Sequence, residues 1–146
     1  MFKLSEVMSK SKKILIVDDE EDVLTYFEAI FNDDGYDTIL ARDGIKGFEV
    51  AKSEIPDLIT LDITMPKQSG LKLYLQFKDH PELKNIPVII ITAHDDFGKI
   101  FTDDLKEYVP PEGIFYKPLD PEALLNLIME ILLTTTCLTI IKEDVK

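Results

Sequence analysis

Short apolar runs alternate with amphipathic stretches along most of the chain. Ile14-Leu15-Ile16-Val17, Asp37 to Ala41, Leu58 to Leu61, Val88 to Ile91 and Ile114-Phe115-Tyr116 have strand length, and most are rich in β-branched residues. The stretches between them carry helical spacing. Val23, Phe27 and Ile30, with Leu24 and Phe31, predict a first helix that Gly35 stops. Asp43 predicts the cap of a second, with Ile45, Phe48 and Ala51 on one face. Ser69 to Asp79 predicts a third, with Leu71, Tyr74, Leu75 and Lys78 on successive turns, and Phe97, Phe101, Leu105 and Tyr108 predict a fourth. Asp120-Pro121-Glu122 is a helix start, with Asp as N-cap and Pro at the first helical position, and Leu124, Leu125, Ile128, Ile131 and Leu132 follow it.

Five strands alternating with five helices predict an α/β domain with a parallel sheet and right-handed crossovers. The strands are short and almost uncharged, as burial on both faces requires. Residues 1–11 predict a flexible N-terminal extension, 12–133 the domain and 134–146 a C-terminal tail. The tail, apolar and rich in mediocre helix formers, has three courses: to continue the last helix, to pack back on the domain, or to pair with a partner.

Composition narrows the function classes. The net charge of −12 opposes direct nucleic-acid binding, because phosphate backbones repel such a surface. No apolar stretch approaches the ~20 residues of a membrane span, and the start lacks a signal-peptide core, so a cytoplasmic location is expected. One cysteine, Cys137, excludes an internal disulfide framework. No strand is followed by a P-loop or a GxGxxG turn.

The chemistry-bearing residues fall at strand ends. Asp18 and Asp19 follow the first strand, Asp62 the third, Thr92 the fourth and Lys117 the fifth. Open α/β sheets bind ligands beyond these ends, where the strand order reverses. In the order 2-1-3-4-5 that point lies between the first and third strands. Asp18, Asp19 and Asp62 then meet there, with Thr92 and Lys117 approaching from the other side. Clustered carboxylates favour a divalent cation, and an all-oxygen set suits Mg²⁺. Taken singly, the acid pair could cap a helix and Lys117 could be a loop lysine; joint placement at one crevice is what distinguishes a site.

The motifs ILIVDDE, LDITMPKQSG, IIITA and YKP, in this order, strongly resemble the receiver domain of two-component response regulators over roughly Lys12 to Leu133. The resemblance implies a flavodoxin-like (βα)5 doubly wound sheet and a stand-alone phosphoacceptor switch rather than an enzyme. By the resemblance, Asp62 accepts a phosphoryl group from a histidine kinase or phosphotransfer protein. Asp18, Asp19, Asp62 and the carbonyl of Thr64 hold Mg²⁺, Lys117 pairs with the phosphate, and its bond to Pro118 is often cis. Thr92 relays the change to a downstream protein, and a homodimer stays open. Receivers usually carry an aromatic switch partner three residues before the lysine; here that residue is Ile114. Either Tyr116 serves from a shifted register or the aromatic switch is absent. Thr64 and His94 occupy the positions that in the family control water access to the phosphoryl group. Two rivals stand beside this reading: a phosphorylation-independent scaffold, and a phosphohydrolase, whose usual second acid is Thr64 here.

Overall fold

The computed structural model describes residues 11–65, 70–93 and 109–144, with the backbone alone beyond residue 136. Most of the expected N-terminal extension, the loop from Pro66 to Ser69, His94 and the helix expected from Phe97 to Tyr108 lie outside the described residues.

Five parallel strands pair in the order β2-β1-β3-β4-β5. They are β1 (Lys13–Val17), β2 (Asp37–Ala41), β3 (Leu58–Leu61), β4 (Val88–Thr92) and β5 (Gly113–Tyr116). Four helices are present among the described residues: α1 (Glu21–Asp33), α2 (Gly44–Glu54), α3 (Gly70–Asp79) and α4 (Pro121–Asp144). The sheet order is the one on which the strand-end cluster depends.

The strand alternation sorts two apolar cores, one on each face of the sheet. Leu15, Val17, Ile59, Leu61, Val88 and Ile90 meet Ala51, Leu73, Tyr74 and Phe77 of α2 and α3. Ile14, Ile16, Leu58, Ile89 and Ile91 meet Leu24, Phe27, Phe31, Leu124, Ile128 and Leu132 of α1 and α4. β1, β3 and β4 are covered on both sides, which is why their sequences are nearly continuous apolar runs.

Local signals place the helix ends. The Asp43 side chain accepts from Lys46 N–H at 2.7 Å, and Asp120 accepts from Glu122 N–H at 3.1 Å. Gly35, with φ +94°, takes the left-handed turn after α1. Two helical faces differ from expectation. In α2 the buried positions are Gly44, Gly47 and Ala51, while Ile45 is 61% exposed. The cause is close approach: a Cβ on Gly47 would stand only 3.2 Å from Leu73 and 3.3 Å from Val17, so small residues set the contact. In α3 the buried stripe is Gly70, Leu73, Tyr74 and Phe77, with Leu71 and Leu75 at its margin.

The last helix runs unbroken through Leu133 to Asp144, so the backbone of the tail takes the first of its three courses. No helix among the described residues is long and apolar enough to cross a membrane.

Candidate functional site

Three of the candidate residues, Asp18, Asp62 and Lys117, are held at strand ends by ladder hydrogen bonds. Asp18 N–H donates to Ala41 C=O (3.1 Å), Asp62 N–H to Val17 C=O (2.9 Å) and Lys117 N–H to Thr92 C=O (2.9 Å). Val17 pairs with Leu61, so Asp18 and Asp62 stand on neighbouring strands one step past that rung. The backbone of the sheet, rather than a flexible loop, fixes their spacing.

Asp18 and Asp62 are buried, at 3% and 2% exposure, which is exceptional for carboxylates and demands partners. Lys117 supplies the shared one. Its ammonium lies 3.0 Å from Asp18 Oδ2 and 3.6 Å from Asp62 Oδ2. The remaining oxygens are also committed. Asp18 Oδ1 accepts from Glu20 N–H at 2.9 Å. Asp62 Oδ1 accepts from both the N–H (2.9 Å) and the hydroxyl (2.8 Å) of Thr64. Asp62 is thereby held with one oxygen clamped by Thr64 and the other turned to Lys117.

The charge count is unbalanced, with two buried carboxylates against one ammonium. Burial pushes the Asp18 carboxyl up, the Glu20 N–H and Lys117 pull it down, and the charge of Asp62 leaves it raised. Burial alone lowers Lys117, but its hydrogen bond to Asp18 and the charges of Asp18, Asp62 and Glu20 leave it raised as well. In both, the excess of neighbouring negative charge favours the protonated form, although burial is the leading cause for Asp18. A divalent cation would relieve that excess.

The donor set fits one. Carboxylate oxygens of Asp18, Asp19 and Glu20 lie within 4.8 Å of one another, with Asp18 buried and the other two exposed. Oxygen-only ligands that leave room for water suit Mg²⁺. Glu20 was not among the expected ligands, although its place directly after the acid pair was the available signal.

Thr92 is fully buried and forms the last residue of β4 rather than following it. It pairs in register with Tyr116, which is 38% exposed. Ile114 packs on the face of the sheet covered by α2 and α3, and Phe115 on the opposite face. A two-residue step along a strand keeps the face, so Tyr116 shares that of Ile114 one rung nearer the site. The Lys117–Pro118 peptide is cis. His80 has a local role, its Nδ1 accepting from Glu82 N–H at 3.1 Å.

Gly70, the last residue of LDITMPKQSG, has a role that the motif does not state. A Cβ on Gly70 would overlap the Asp62 carbonyl oxygen and lie 2.6 Å from Ile63 Cα. The start of α3 is therefore seated on the backbone of Asp62, and only glycine fits there.

Comparison with known proteins agrees with this geometry. The sequence profile of the family described as response regulator receiver domain matches residues 14–129. The polar-differentiation response regulator DivK of Brucella ovis is 40% identical over 83 residues, spanning 57% of this chain and 68% of that protein. A response regulator receiver domain protein from Clostridium thermocellum superposes with a TM-score of 0.76 at 25% identity, covering 87% of this chain and 98% of the other. The chemotaxis response regulator CheY4 of Vibrio cholerae shares the fold, with a TM-score of 0.74 at 24% identity over 84% of this chain and 99% of its own. With β2-β1-β3-β4-β5 order and acids at the switch point, this chain belongs to the response regulator receiver domain family of two-component signalling.

Proposed function

We propose that Asp62 is a phosphoryl acceptor whose modification is read by a partner protein. The observation that carries this reading is a buried carboxylate at the end of β3, clamped on one oxygen by Thr64 and facing the Lys117 ammonium at 3.6 Å. In the reaction a carboxylate oxygen of Asp62 attacks the phosphorus of a phosphohistidine on a histidine kinase or phosphotransfer protein. The P–N bond breaks, the imidazole leaves with the electron pair, and an acyl phosphate forms on Asp62.

Asp18, Asp19, Asp62 and the Thr64 carbonyl would hold Mg²⁺, with Glu20 close by. When bound, the ion neutralises charge on the transferring phosphoryl oxygens and on the surrounding acids. Lys117 is the protein's own cation for that purpose, held by Asp18 in reach of Asp62. Thr92 and Tyr116, opposite one another on β4 and β5, are the relay. The negative surface favours a protein partner over nucleic acid, in the cytoplasm. The position two residues past Asp62 bears the Thr64 hydroxyl, which donates to Asp62 itself. It offers no second acid for protonating a leaving group, so turnover of phosphate esters is not expected.

Incubation with Mg²⁺ and acetyl phosphate should add one phosphoryl group, seen by intact mass, and Asp62→Ala should abolish it. An unchanged mass of the wild-type chain under those conditions overturns the assignment. Equal partner binding by Asp62→Ala and by the phosphorylated chain would reduce the domain to a scaffold.

A further inference from the structure

We infer that the Thr64 hydroxyl is a latch on Asp62 Oδ1, one that a divalent cation must displace in order to share that oxygen. The inference deepens the proposed function and rests on its reading of Asp62 as a metal ligand. Asp62 is 2% exposed, so its carboxylate does not trade partners freely with water. Its two oxygens are held differently. Oδ1 accepts the N–H of Thr64 at 2.9 Å and the hydroxyl of Thr64 at 2.8 Å. Oδ2 lies 3.6 Å from the Lys117 ammonium, an ion-pair distance too long for a hydrogen bond.

That difference assigns a task to each oxygen. An acyl phosphate uses one carboxylate oxygen for the P–O bond and leaves the other for a cation. Oδ2 faces the protein's own ammonium and makes no hydrogen bond among the described residues, so it suits the bond to phosphorus. Oδ1 is then the oxygen left for the cation. A carboxylate oxygen offers about two lone-pair directions, and Thr64 fills both. One donor must leave. The N–H belongs to the backbone two residues past Asp62 and keeps its place as long as that turn does. The hydroxyl turns about a single bond, so it is the donor that yields.

Thr64 therefore acts on the cation with two opposite signs. Its carbonyl is a proposed ligand, while its hydroxyl competes for the oxygen of the neighbouring ligand. A hydrogen bond to a charged group is stronger than one between neutral groups, and burial of Asp62 strengthens it further. The hydroxyl thus raises the Mg²⁺ concentration at which the site fills, and a methyl in its place would not.

Calorimetric titration of the full, unphosphorylated chain with Mg²⁺ tests the latch. Thr64→Val keeps the shape of the side chain without the hydroxyl, and its dissociation constant for Mg²⁺ should fall roughly tenfold. Thr64→Ser keeps a hydroxyl and should bind as wild type does. In an Asp62→Ala background, Thr64→Val should change nothing, because the hydroxyl then has no oxygen to hold. Without Mg²⁺, Thr64→Val should melt below wild type, and added Mg²⁺ should narrow that gap. If the valine variant does not melt cooperatively, Thr64→Ala carries the same comparison. Unchanged or weaker binding by the variant lacking the hydroxyl overturns the inference. So does a gain that persists in the Asp62→Ala background, since the hydroxyl then acts elsewhere. Mg²⁺ bound by none of these chains overturns the latch and the metal site together. Uptake of a phosphoryl group by Asp62 is read separately by intact mass, so failure of the acceptor assignment is a distinct result.

Discussion

Gly70→Ala is the sharpest probe of how Asp62, the proposed acceptor, is positioned. The new methyl would overlap the Asp62 carbonyl oxygen and lie 2.6 Å from Ile63 Cα and 2.9 Å from the Asp62 carbonyl carbon. Carbon atoms settle at about 3.5–4.0 Å, so α3 or the acceptor backbone must move by roughly 1 Å. None of the three atoms belongs to a side chain that could rotate away. Overpacking of this kind costs about 1–3 kcal/mol of stability. If the Asp62 backbone moves, misplacement of ~1 Å also costs roughly 100-fold in the rate of phosphoryl transfer. Gly47→Ala is the control. Its methyl would meet Leu73 Cδ2 at 3.2 Å and Val17 at 3.3 Å, side-chain methyls that can give by a few tenths of an ångström. The helix-propensity gain of ~1 kcal/mol from Gly to Ala offsets much of that strain. Urea unfolding measures the first effect, and intact mass against time with acetyl phosphate, well below the melting point, measures the second. A Gly70→Ala chain as stable and as readily phosphorylated as wild type would refute the close seating of α3 on Asp62.

Thr60 on β3 is 1% exposed and its hydroxyl has no hydrogen-bond partner among the described residues, so Thr60→Val should stabilise the fold by about 1 kcal/mol in urea titration; destabilisation would mean the hydroxyl is satisfied in solution. Lys117→Met removes the cation between Asp18 and Asp62, and unfolding free energy without Mg²⁺ should fall by about 2–3 kcal/mol. Added Mg²⁺ should then raise the melting temperature of this variant more than that of wild type, and an equal response would contradict the shared charge excess. The buried Tyr74 hydroxyl donates to the Val109 carbonyl, and burial, with the charge of Glu112, raises its pKa. A phenol whose folded pKa is raised contributes stability that is complete below the unfolded value near 10 and is lost as pH rises above it. Tyr74→Phe should therefore cost about 1–2 kcal/mol at neutral pH and flatten the loss of stability above roughly pH 10, leaving a remnant from Tyr36, which burial also raises, and from Lys117 and Lys13, raised by the acids beside them. Identical alkaline slopes for the two chains would count against that bond.

Much of this molecule was legible without coordinates because period and punctuation are local properties. A strand buried on both faces must be short and apolar, so Ile14 to Val17, Leu58 to Leu61 and Val88 to Ile91 announced themselves. Asp43 and Asp120 marked helix starts for an equally local reason, a carboxylate bonding the free N–H groups just beyond it. The five chemical positions were legible too, since each falls at a strand end and a parallel sheet gathers such ends on one edge.

What the tertiary structure alone decided depends on the distance between elements. Ile45 has the helical spacing of a core residue yet is 61% exposed, because glycines bring α2 against Leu73 and Val17. Thr64 was expected to offer a carbonyl, and what the fold shows is its N–H and hydroxyl donating to Asp62. Glu20 joined the acid pair, and Gly70 proved to be the seat of Asp62. Tyr116 and Ile114 came to share a face through strand alternation, and the register set Tyr116 opposite Thr92. Sequence patterns report which face of an element turns inward. How closely two elements approach, and so which oxygen faces which ammonium, is set by the side chains of both at once.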